Sequence, residues 1–175
     1  DDADAHYLSG LVHLALVSEV SIFKKMDMAK QAMADWEQAV ASDPNHLNAR
    51  YAIFAYYIKA PSIAGGSIET AESLQKELLA IDESFGTMAL ALVLNKKNDF
   101  IGAESAFRQS IEMMDRAGPH FALAQFYMET EQWQKSIAEM SQYLAKEKMW
   151  WDPDVTMVHL MKARAYTELG NYASA

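Results

Sequence analysis

Small residues recur along this 175-residue chain at a fixed interval, and that recurrence restricts the fold more than any other feature. Twelve residues separate Ala91 from Ala103, Ala124 from Ser136, and Ala163 from Ala175. Trp36, Phe107 and Met140 stand four positions after Ala32, Ala103 and Ser136; Ala39, Ser110 and Tyr143 stand seven after the same three. Leu94, Tyr127 and Tyr166 follow three positions after Ala91, Ala124 and Ala163. Residues 98–111, 131–144 and 170–175 align without gaps, each opening on a turn position (Asn98, Glu131, Gly170) and reaching an aromatic two residues on (Phe100, Trp133, Tyr172). Offsets of three, four and seven mark one face of an α-helix. Two antiparallel helices approach closely only where the facing side chains are small, and the adjacent large residue then fills the groove to the next element. A helix pair of this kind leaves an apolar face open until the next pair stacks on it.

This pattern resembles the tetratricopeptide repeat, whose two antiparallel helices carry small and large residues at these offsets. The anchors Ala32, Ala71, Ala103, Ser136 and Ala175 are spaced 39, 32, 33 and 39 residues apart, against an ideal of about 34. The resemblance implies an all-α fold, a right-handed α-α superhelix of about four and a half helix-turn-helix repeats in a single domain over 1–175. The repeats fall at 3–46, 47–83, 84–116, 117–153 and an incomplete 154–175. The second is the poorest match: Phe54 stands where a small residue belongs and Gln75 where a large one does, so a register shift of one remains open there. The last stops after its first helix, which creates the expectation that the protein continues. The opening DDADAH has neither an initiator Met nor a basic-then-apolar leader.

Helix punctuation agrees with this division. Asp43-Pro44 ends one helix, Gly118-Pro119 and Asp152-Pro153 open others, and Asn98 and Gly170 fit left-handed turns. Three stretches exceed the repeat: 18–28, which is helical in composition and lengthens the first pair; 59–67, KAPSIAGGS; and 146–154, KEKMWWDPD. Ser67 after two glycines reads as a helix cap in a structural turn, with anion binding as the alternative, although no Lys-Ser/Thr follows to complete a phosphate loop. Trp150 and Trp151 are adjacent and cannot share one helical stripe; the alternatives are a connector that buries both or one exposed ring marking a contact patch. The first two excursions resemble those of bacterial, often exported, tetratricopeptide proteins of unassigned role. The resemblance implies a periplasmic or exported protein with its signal segment removed.

Composition excludes several chemistries. The chain has no cysteine, which removes disulfides, thiolate nucleophiles and zinc–thiolate sites. A formal charge of −9 disfavours non-specific contact with nucleic acid or anionic membrane. The longest apolar runs, 51–58 and 88–94, are too short to span a bilayer. His6, His13, His46, His120 and His159 form no metal-ligand spacing and read as surface or helix-end residues. Glu129, Glu131 and Glu139 read as solvated charge, and no nucleophile elbow occurs. No enzyme activity, cofactor or metal is expected.

The resemblance implies a scaffold that binds a protein or peptide in a concave groove lined by the first helix of each pair. In this register the groove positions are Tyr7, Tyr51, Lys59, Met88, Asn95, Lys96, Phe121, Gln125, Leu160 and Arg164. About half of them are expected to pack against neighbouring helices, since core and interface share a composition. The carboxylate clamp of chaperone-binding relatives is absent, because Tyr7, Leu11, Tyr51 and Ala55 occupy its positions. The alternatives are self-association through the incomplete C-terminal repeat and a helical accessory domain of a larger protein.

Overall fold

Residues 2–16, 22–148 and 152–170 are described by the computed structural model. Trp150, Trp151, Tyr172, Ala175 and residues 18–21 of the first excursion lie outside them. The described residues form nine α-helices and no strand. They are α1 (Asp2–Leu16), α2 (Ile22–Ser42), α3 (Leu47–Lys59), α4 (Ile68–Ile81), α5 (Glu83–Lys96), α6 (Phe100–Met113), α7 (Ala117–Glu129), α8 (Trp133–Ala145) and α9 (Val155–Glu168). The chain divides into two units, Asp1–Lys97 and Asn98–Ala175.

Helices α3, α4, α5, α6 and α9 start where a side chain satisfies a backbone donor of the first turn. Ser67 accepts from Thr70 N–H, Asp99 from Gly102 N–H and Asp154 from Thr156 N–H. Asp82 serves two helices, closing α4 through its N–H to the Leu78 carbonyl and opening α5 by accepting from Ser84 and Phe85. A cap of this kind contributes about 1 kcal/mol. His46 caps α3 through Nδ1, which accepts from Ala49 N–H, so its proton sits on Nε2 and is donated to Asp4. Pro153 precedes the cap of α9 and Pro119 lies in the first turn of α7.

In the first unit, Tyr7 of α1, Ala32, Trp36 and Ala39 of α2, and Ala49 of α3 form one buried cluster. A second joins Phe54 and Ile58 of α3, Ala71 and Leu78 of α4, and Ala89 and Val93 of α5. Two glycines set the helix spacing. A Cβ on Gly10 would stand 2.3 Å from the Trp36 indole nitrogen, and one on Gly86 would stand 2.3 Å from Leu79 Cα. Gln75 is buried at the position of a large apolar residue, and its amide donates to the Gly86 carbonyl at 3.2 Å. Phe54 is fully buried. The 59–67 excursion is a 3-10 turn, Ser62–Ala64, followed by Gly65 at φ +92°. Gly65 N–H donates to Ser62, Gly66 N–H to Pro61 and Ser67 N–H to Tyr57, while Tyr56 O–H donates to Ala64. These amides are spent on carbonyls of the turn and of the end of α3, which supports the structural reading of the loop.

In the second unit, Ala117 and Ala124 of α7, Met140 and Tyr143 of α8, and Val158 of α9 form the core. Ala124 and Ser136, twelve residues apart, are fully buried, and Ser136 Oγ donates to the Ala124 carbonyl at 2.8 Å. Phe126 packs its ring on Phe107 at 5.5 Å between centroids. Glu104 of α6 accepts from Tyr127 O–H at 2.8 Å, from Arg108 at 3.0 Å and from Lys135 at 3.3 Å, tying α6, α7 and α8 together. Burial raises the Glu104 pKa, but the three donors outweigh it and hold the carboxyl below its usual value. Asn98 and Glu131 both take positive φ, +63° and +58°, as does Gly170 at +73°. These are the three turn positions aligned in the sequence.

Two stability measurements check this packing. Gly10→Ala gains about 1 kcal/mol of helix propensity, but overpacking against Trp36 costs about 1–3 kcal/mol, so urea midpoints are expected to fall. Glu104→Gln removes charge from three hydrogen bonds and is expected to cost about 1–2 kcal/mol at pH 7. Because the folded carboxyl titrates below the unfolded one, its contribution is present above the unfolded pKa and disappears as pH falls through the folded value. The gap between wild type and Glu104→Gln should therefore narrow in acid, read from urea titrations at successive pH values.

Candidate functional site

The groove positions separate into core and surface within each unit. In the first, Tyr7 and Met88 are each only 8% exposed, so both belong to the interior. Tyr7 stacks beside His46 at 5.2 Å. Tyr51 is half-buried between Phe54 and Phe85, each 5.7 Å away, and burial pushes its phenol pKa up. Lys59 and Lys96 are exposed at the C-terminal ends of α3 and α5, where a positive charge complements the helix dipole. Asn95 is half-buried. Neighbouring cations are committed elsewhere: Arg50 pairs with Glu77 at 3.1 Å and Lys97 with Glu72 at 2.6 Å.

In the second unit, Phe121 is half-buried against Tyr143, 5.5 Å between rings. Gln125 lies one turn further along α7 and is also half-buried. On α9, Leu160 is 68% exposed and Met157 43% exposed. Arg164 is exposed, one turn beyond Leu160. Offsets of three and four put Met157, Leu160 and Arg164 on one helical stripe, while Val158 and Ala165 face the core.

Sequence spacing missed the polar contacts that cross between helices. Ser9 O–H donates to Asp35 Oδ2 at 2.7 Å, and His13 Nδ1 lies 2.8 Å from the same oxygen. The imidazole does not stand between hydroxyl and carboxylate, so this trio lacks the relay of a hydrolase triad. His120 and Glu139 depart from expectation: His120, in the first turn of α7, is buried, and Glu139 is not solvated. Their side chains are only 10% and 16% exposed and meet at 2.8 Å across α7 and α8. A buried charge-capable group needs such a partner, but nineteen residues of separation gave no local signal. Glu129 and Glu131 are exposed. Among the described residues no group of three His, Cys, Asp or Glu could hold a metal ion, and no helix is long and apolar enough to cross a membrane.

No protein-family model and no curated protein sequence matches the chain. Solved structures do. A thermophilic TPR protein from Thermus thermophilus superimposes with a TM-score of 0.67 at 18% identity, over 95% of this chain and 82% of that one. A tetratricopeptide repeat protein from Parabacteroides merdae gives 0.54 at 14% identity, over 98% and 72%. The MamA protein gives 0.51 at 13% identity, over 95% and 85%. At such identities the likeness is one of fold, and by fold the chain is a tetratricopeptide-like, all-α helical solenoid.

Proposed function

We propose that the chain is a scaffold for a protein or peptide, bound in the second unit on the face that α7 and α9 present, with no catalytic residue of its own. The observation that carries this reading is the α9 stripe, where Leu160 at 68% and Met157 at 43% stay exposed beside Arg164. Large apolar side chains left in water mark a contact surface, and Met and Arg are enriched at interfaces. Phe121 and Gln125 on α7 supply a half-exposed aromatic and an amide in the same unit. Arg164 enters no ion pair among the described residues. The fitting ligand is a segment with an apolar anchor and a nearby acidic residue. Charge steers its approach and the anchor slows its departure.

Tyr51 and Phe121 are poor test positions, because each also packs on a core cluster. The better variant is Leu160→Glu with Arg164→Glu, both on the surface. Peptides selected from a displayed random library on the wild-type chain are expected to combine apolar and acidic residues. They should bind the double variant at least about tenfold more weakly, a loss of about 1.4 kcal/mol. Absence of enrichment, or undiminished binding to the double variant, would contradict the reading.

A further inference from the structure

The first helix carries a second apolar face, separate from the groove positions. Ala3, Tyr7 and Gly10 of α1 point into the core. Ala5, Leu8, Val12 and Ala15 are exposed, Leu8 at 42% and Val12 at 58%. Their spacing of three, four and three is that of a helix–helix seam. It is also a palindrome centred on Gly10, with small residues at both ends and large ones inside. Two copies of α1 laid antiparallel would set Leu8 of each against Val12 of the other, and Ala5 against Ala15. That is the reciprocal contact a two-fold interface requires.

Charge favours the same partner. The N-terminal end of α1 exposes Asp2 and Asp4, the latter also accepting from His46 Nε2 at 3.1 Å. Near its other end begins α2, whose first three turns carry the exposed Lys24 and Lys30 against one exposed carboxylate, Asp27; neither lysine is in an ion pair among the described residues. Antiparallel pairing brings the acidic end of each copy towards the basic end of the other, twice by symmetry. We propose that this face docks a second copy of the chain, α1 against α1, about a two-fold axis near Gly10. One helix face per partner is smaller than the standard interface of about 800 Å² a side, so the dimer is weak and exchanging.

The absence of cysteine makes the test direct. Leu8→Cys and Val12→Cys are prepared separately, and disulfide formation is followed for each alone and for their mixture. The mixture should yield the mixed dimer several-fold faster than either variant yields its own. By sedimentation equilibrium the wild-type chain should show a concentration-dependent mass, and Leu8→Lys with Val12→Lys should weaken self-association at least tenfold with an unchanged circular dichroism spectrum. A monomeric mass at every concentration up to about 1 mM, the limit of weak specific association, would overturn the proposal. So would cross-linking no faster in the mixture than within each variant, or undiminished self-association of the double-lysine variant.

Discussion

Close approach of antiparallel helices at small residues is the contact on which the rest of this structure depends. It appears in three chemical forms. Ser136 sits on the Ala124 carbonyl and adds a hydrogen bond of 2.8 Å. Gly10 admits the nitrogen of the Trp36 indole. Gly86 brings the α5 backbone onto Leu79 and lets Gln75 reach a main-chain carbonyl. Each contact lets an adjacent large side chain fill the space to the next helix, and Trp36, Phe107, Met140 and Tyr143 are all nearly or fully buried. Burial of such a side chain contributes roughly 1.5–3 kcal/mol, more than the caps or the surface ion pairs. The cost falls on tolerance: where a Cβ would meet an indole or a backbone atom at 2.3 Å, no larger residue enters without moving a helix.

Much of this was legible in the sequence because the packing is periodic. A twelve-residue interval between small residues, with large ones at +4, states which faces meet without any long-range information. The positive-φ turns show the value of the repeat over residue preference. Asn98 and Gly170 announce themselves by type, whereas Glu131 at +58° carries no preference for that conformation. Only its alignment with the other two marks it. The second pair misled by residue type: Phe54 and Gln75 look wrong for their positions, yet both are buried, and a glutamine serves because a carbonyl lies within its reach.

The candidate binding face was legible only in part, and the reason is geometric. Offsets locate a residue on a helix, but they do not say how far a neighbouring helix overlaps it. Tyr7 and Met88 are covered, Tyr51 and Phe121 are half-covered, and Leu160 and Arg164 are open, although all were assigned from the same first-helix register. Polar pairs between helices were invisible for the same reason. His120 and Glu139, or Ser9, His13 and Asp35, meet because two helix faces share a phase, a property fixed by packing. The fold therefore follows from local repetition, while the distribution of polar and exposed groups follows from the way each helix is covered.

The small-residue contact between α7 and α8 is the one most directly open to measurement. Urea denaturation of Ala124→Leu measures it, since leucine at this fully buried position would force the two helices apart and break the Ser136 hydrogen bond. Overpacking of about 1–3 kcal/mol together with a lost hydrogen bond of about 1 kcal/mol predicts a stability lower by about 2–4 kcal/mol, with the midpoint shifted to match. A variant as stable as the wild type, with an unchanged midpoint and slope, would mean that close approach at Ala124 and Ser136 does not hold these helices together.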